Sequence, residues 1–177
     1  MIFKFKRLLL SSLVACTVMA GLSACAPILL GSAVMTGLVA IDRRTTGIQL
    51  EDEGIELRTA QGLRQNLSGA SHVNVTSYNR MVLLSGEVSS VAEKERAERL
   101  AKSQENVSSV VNDLVVEPAS SLTQRTKDII ITSQIKALLV DAKDLQSNAF
   151  KVITERGVVY LMGRVTPREA QRASEIA

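Results

Sequence analysis

The chain has 177 residues, 46% hydrophobic and 22% charged, which excludes a disordered or fibrous polypeptide and suits one medium domain or two small ones. Aromatic residues make up 3%, with no Trp, so the chain has few side chains to spare for stacking bases. The formal net charge of +3 is that of Lys4, Lys6 and Arg7; beyond them 18 basic residues face 18 acidic ones, and the charge gives no support to a nucleic-acid partner.

Those three cations precede an apolar run, residues 8–22, which is short of the roughly 20 residues that span a bilayer and has the layout of a secretory signal. It ends in Leu22-Ser23-Ala24-Cys25, which resembles a bacterial lipobox. The resemblance implies that residues 1–24 are removed and that Cys25 carries a diacylglycerol on its thiol and a further acyl chain on its amine. Three chains exceed the roughly two lipid signals that stable anchoring takes. Signals of this kind retain proteins in the inner membrane through Asp after the cysteine; Ala26 stands there instead, which implies the outer membrane. The alternative is an ordinary signal peptide that leaves Cys25 as a buried thiol. With Cys16 removed and Cys25 acylated, no disulfide is expected. Residues 26–41 are again apolar and read as a membrane-proximal segment, and the polar residues 42–54 as a tether and entry loop.

The rest of the chain is written twice. Val75, Val82, Leu84, Gly86 and Val88 recur as Val152, Val159, Leu161, Gly163 and Val165, at an offset of 77. After one deletion, Glu93, Ala97 and Ala101 recur as Glu169, Ala173 and Ala177, at an offset of 76. Each copy reads as an amphipathic helix, near 55–67 and 123–140, followed by two strands joined by a polar turn at Tyr78-Asn79-Arg80 or Glu155-Arg156-Gly157. The alternation of Val82, Leu84, Gly86 and Val88 predicts a half-buried second strand, with Gly86 and Gly163 in its inward row admitting a helix backbone. A second helix follows, opened in the second copy by a capping box, Thr166-Pro167-Arg168-Glu169. A third strand is expected within 107–116, and residues 118–121 are a linker. The expected class is therefore α+β, two tandem α-β-β-α-β two-layer sandwiches, at 55–117 and 123–177. The second copy reaches Ala177 inside its last helix, so its third strand is expected to be absent from this chain and its sheet edge open.

No constellation of catalytic residues stands out. Beyond the leader the single imidazole, His72, reads as a surface or loop residue, because one His without Cys cannot build a zinc site of three or four N/S ligands. Glu93, Glu95 and Glu98, alternating with Lys94, Arg96 and Arg99, read as a solvated, ion-paired helix face. Met81 and Met162 read as packing or edge residues of the strands. No cofactor, metal or enzymatic activity is expected.

The helix near 123–140 carries the one unusual surface. At about 100° per residue, Ile131, Ile135, Leu138 and Leu139 form a core stripe, while Ile129 and Ile130 point away from it. Arg125, Lys127 and Lys136 lie around them, and residues 123–177 hold nine basic against six acidic side chains. An exposed apolar knob among cations suits an anionic membrane surface. Packing against the first repeat or against a protein partner are the alternatives.

The layout, with segments 75–88, 107–116 and 150–177, resembles the BON domain of bacterial envelope proteins, and a lipobox followed by two such domains resembles the dual-BON outer-membrane lipoproteins. The resemblance implies an outer-membrane protein facing the periplasm. Its second BON domain would bind anionic phospholipid through its first helix, with Ile130 where the family carries a membrane-inserting Trp. It would support envelope integrity and outer-membrane protein assembly, and could gather at division sites. An adaptor of the assembly machinery with incidental lipid contact is the other reading.

Overall fold

The computed structural model describes residues 43–177; the leader, Cys25 and the apolar stretch 26–41 lie outside them. The first repeat comprises α1 (Thr46–Asn66), β1 (His72–Tyr78), β2 (Met81–Val88), α2 (Val91–Lys102), β3 (Ser109–Asn112) and β4 (Val115–Val116). The second comprises α3 (Leu122–Asp141), a 3-10 turn (Ser147–Ala149), β5 (Phe150–Glu155), β6 (Val158–Gly163) and α4 (Pro167–Ile176). The α+β class and the repeated order are those expected.

In the first sheet β2 is central, antiparallel to β1 and parallel to both β3 and β4. The single third strand expected is thus two short ones. Asp113 N donates to Leu84 O (2.9 Å) and Leu114 N to Asn112 Oδ1 (3.3 Å), a local detour that drops Leu114 into the core. Among the described residues the second sheet has two strands, antiparallel β5 and β6. α1 starts earlier than expected: Thr45 Oγ1 accepts from Ile48 N, and residues 46–54, read as tether and loop, are helical.

Both hairpins turn through two residues of positive φ, Asn79 and Arg80 in the first and Arg156 and Gly157 in the second. A buried aspartate on the preceding helix holds each turn. Asp52 accepts from the amides of Asn79 and Arg80 (2.7 Å each), and Asp128 from those of Arg156 and Gly157 (2.9 Å each). The two aspartates stand 76 residues apart, so the device is repeated with the fold.

The first core gathers Ile55 and Leu63 of α1, Val82, Leu84 and Val88 of β2, Ala97 and Ala101 of α2, and Leu114. Strand β2, expected to be half-buried, is buried on both faces: Leu83, Ser85 and Glu87 are covered as fully as the inward row. The cover is the second repeat. Tyr78, Leu83 and Met162 form a buried cluster with Met81, Ile153 and Tyr160 around it, so the helix-free faces of the two sheets meet. Tyr78 ties the junction, its hydroxyl accepting from Arg164 N (3.0 Å) and donating to Ala149 O (3.4 Å). Lys151 Nζ adds bonds to Glu56 Oε1 (2.5 Å) and Ser77 O (3.2 Å).

The glycines act differently from the expectation. Gly86 has φ +108°, and a Cβ there would lie 2.2 Å from the carbonyl oxygen of His72. The close neighbour is therefore the adjacent strand β1, not a helix. Gly163 is exposed, and a Cβ on it would lie 2.8 Å from Ala149 O, again backbone of the neighbouring chain segment rather than of a helix.

Candidate functional site

Helix α3 is capped by Ser121, whose hydroxyl accepts from Gln124 N (3.2 Å), and it buries Asp128, Ile135 and Leu139. Ile129 is 67% and Ile130 51% exposed, so neither is buried against the first repeat. Leu138, assigned to the core stripe, is 50% exposed. The corresponding place in α1 is Gly62, where a Cβ would lie 2.9 Å from Leu100 of α2.

The five candidate residues fall on two edges of α3. Arg125, Ile129 and Lys136 line a cavity of about 500 Å³ between α3, β5 and the start of β1. Arg125 is fixed by Nε donating to Ser120 Oγ (3.3 Å). The rest of the wall is mixed, with apolar Val152 and Ile153 beside polar Thr132, Ser133 and Thr154 and the acids Asp128 and Glu155. Lys127 and Ile130 do not line it; they stand, both exposed, on the edge that also carries Leu138. No helix among the described residues is long and apolar enough to cross a membrane. The exposed part of α3 thus presents Ile129 and Ile130 together with Arg125, Lys127 and Lys136.

His72 is not a loose loop residue. It opens β1, and its Nδ1 lies 3.3 Å from Glu87 Oε2 and 3.5 Å from Glu155 Oε1. Glu87 is fully buried, and Arg156 Nη1 donates to its other oxygen (3.3 Å). Asn74 Nδ2 donates to the other oxygen of Glu155 (3.4 Å), and burial pushes the Glu155 carboxyl above its ordinary value. His72 and Glu155 also line the α3 cavity. Sequence reasoning missed this cluster because its members come from three strands in two repeats; Glu87 in a strand otherwise hydrophobic was the one signal.

Glu93 also departs from the solvated face assigned to it. It is buried, and accepts from Ser68 N (2.8 Å), Ser71 Oγ (2.6 Å), Ser89 Oγ (2.8 Å) and Ser89 N (3.2 Å). The Ser71 hydroxyl, with the other three donors, holds its carboxyl at about 2. Glu98 with Lys102 and Glu95 with Arg99 form the exposed pairs expected of that helix. In the second repeat the capping box is present, and Glu169 additionally pairs with Arg43 (2.7 Å).

The family model of the BON domain matches residues 51–118 and 127–177. The chain is 37% identical over 159 residues to the outer membrane lipoprotein DolP of Haemophilus influenzae, covering 88% of this chain and 82% of that one. It is 34% identical over 139 residues to a 21 kDa hemolysin of Actinobacillus pleuropneumoniae, covering 77% and 72%. It is 37% identical over 111 residues to the osmotically-inducible protein Y of Escherichia coli, covering 61% and 55%. None of these three names denotes an enzyme. Two matched segments, each falling on one helix-first repeat, and a relative 37% identical across most of both chains place this protein in the BON-domain family, with two BON domains in tandem and an outer membrane lipoprotein among its relatives.

Proposed function

We propose that this protein is a non-enzymatic outer-membrane lipoprotein, anchored through Cys25 and facing the periplasm. It docks on anionic phospholipid through α3 of its second BON domain and so supports outer-membrane integrity and protein assembly. The observation that carries the docking is the exposure of Ile129 and Ile130 on a helix that also bears Arg125, Lys127 and Lys136. Burying one large aliphatic side chain is worth about 1.5–3 kcal/mol. Each basic residue near an anionic surface adds about 1 kcal/mol. Partial burial of two isoleucines then gives weak, salt-dependent affinity, and a lipid anchor raises the local concentration to where weak affinity suffices. The anchor itself is supported by the lipobox and by the lipoprotein relative.

Flotation of the unlipidated protein with phosphatidylglycerol vesicles, against phosphatidylcholine vesicles, tests the docking. Ile129→Glu with Ile130→Glu spares the fold, since both side chains are exposed, and abolishes flotation with the anionic vesicles. Equal flotation of the double variant and the wild type rejects the α3 mechanism. For the anchor, Cys25→Ala releases the protein from the outer-membrane fraction; its retention there at high salt places the anchor elsewhere.

A second reading, an adaptor for the outer-membrane assembly machinery, draws on α1. Leu50 and Leu57 are exposed there with Glu53 between them, an apolar and acidic edge that an anionic lipid surface repels and a protein partner can cover. Loss of the α3 mechanism in the flotation experiment promotes this reading.

A further inference from the structure

We propose that His72 Nδ1, Glu87 Oε2 and Glu155 Oε1 form a binding site for a divalent transition-metal ion of the zinc type, held between the two BON domains. One donor atom from each of the three side chains lies within 4.8 Å of the other two. Donors placed about 2.0–2.1 Å from a tetrahedral zinc stand about 3.3–3.4 Å apart. The separations from His72 Nδ1, 3.3 Å to Glu87 and 3.5 Å to Glu155, match such an edge.

The second observation is what these atoms lack. Glu87 is 0% exposed, yet its Oε2 and the facing His72 Nδ1 are both buried without a hydrogen-bond partner among the described residues. A buried charged oxygen left unsatisfied is costly, and two carboxylates brought to one imidazole compound it. A dication answers both: it gives the free oxygen a partner, and it offsets the carboxylate charge that Arg156, shared between Glu87 and Glu117, leaves over.

The surroundings fit a ligand set. Each carboxylate has its remaining oxygen engaged by a neighbour outside the cluster: Glu87 Oε1 by Arg156 Nη1 (3.3 Å) and Glu155 Oε2 by Asn74 Nδ2 (3.4 Å). Such outer bonds orient the free oxygens toward the shared point. The carboxylate oxygens are hard donors that zinc shares with calcium and magnesium, and the imidazole nitrogen, a borderline donor, is what favours zinc over those two oxygen-binding cations. His72 and Glu155 line the 500 Å³ cavity beside α3, which gives the ion a path from solvent and leaves room for a fourth ligand. Because His72 and Glu87 belong to the first repeat and Glu155 to the second, the ion ties the domains together.

The test is titration of the purified full chain with Zn²⁺ alone, read by calorimetry and by thermal melting, and with Co²⁺ read by visible absorption. The wild type binds one equivalent, melts several degrees higher with Zn²⁺, and returns to its starting temperature with EDTA. His72→Ala and Glu155→Gln each weaken binding at least tenfold and lose the thermal shift. Glu155→Gln is nearly isosteric and serves if His72→Ala does not fold. Bound Co²⁺ shows ligand-field bands without a thiolate charge-transfer band, which separates this site from Cys16 and Cys25. A wild-type melt indifferent to Zn²⁺, affinities equal in wild type and both variants, or a thiolate band that accounts for all the bound Co²⁺ would overturn the proposal.

Discussion

Gly86 and Gly163 hold the same place in the two copies of one hairpin, yet they resist substitution for different reasons. At Gly86 both the backbone and the space exclude a side chain: φ is +108°, and a Cβ would lie 2.2 Å from His72 O. Backbone strain of this kind costs about 1–3 kcal/mol, and overpacking about 1–3 kcal/mol more. At Gly163 φ is outside the positive region, and space alone opposes a Cβ, which would lie 2.8 Å from Ala149 O, 3.2 Å from Val165 Cγ1 and 3.3 Å from Phe150 Cδ1. Gly86→Ala is therefore expected to lower stability by roughly 2–6 kcal/mol and Gly163→Ala by roughly 1–3 kcal/mol. Denaturant unfolding of the two variants against wild type measures this; equal losses would show that the positive φ at Gly86 contributes nothing. The alternation around Gly86 was legible in the sequence, but its role was not. A glycine in an inward row says that something approaches closely, without saying whether it is a helix above or the strand alongside.

At the scale of the element, Glu93 links three segments that would otherwise only abut. From the first turn of α2 its carboxylate receives the α1–β1 loop at Ser68 and Ser71 and the end of β2 at Ser89. Folding lowers its pKa from an ordinary 4.5 to about 2, so the bonds stabilise the fold fully above pH 4.5 and are lost as pH falls toward 2. Glu169 titrates in the same window, held down by Arg43 and by the Thr166 amide and hydroxyl, but it is only partly covered and its partner Arg43 is a third exposed, so solvent screens the pair. Glu93→Gln should thus flatten most of the decline in melting temperature between pH 4.5 and 2, while lowering the melting temperature at pH 7. An unchanged acid profile would show that other carboxylates govern it. The capping box around Glu169 was readable because its partners are adjacent in sequence. Glu93 was read as a surface acid because Ser68 and Ser71 lie more than twenty positions away and nothing local marks them. The same distance hid Asp52 and Asp128, whose partners are hairpin amides a whole strand away. Only their recurrence at the repeat offset, each on the otherwise apolar face of its helix, carried a trace of the role.

The whole described unit depends on a surface that periodicity assigned to solvent. The second repeat's own core is small, with Ile135, Leu139, Val152 and Ala173 buried and a two-stranded sheet beneath. Isolated two-stranded sheets are marginal in water. What the second sheet gains is its helix-free face, laid against the first at Tyr78, Leu83 and Met162 and bounded by Lys151 on Glu56, Arg156 on Glu87 and Glu117, and Tyr160 on Asp113. The first repeat has more to stand on, with a larger core and a sheet of β1 through β4. The second BON domain is therefore expected to depend on the first for its stability, and the first to stand without the second. Met162→Asp tests this, because an aspartate at that buried position loses the apolar contact and places an unpaired carboxylate between the sheets. Hydrogen exchange on the variant should show α3, β5 and β6 losing protection to the level of an open chain, while α1, β1 and β2 keep most of theirs. Retained protection in α3 would mean that the second domain folds without the junction. Loss of protection throughout would mean that the first depends on it equally.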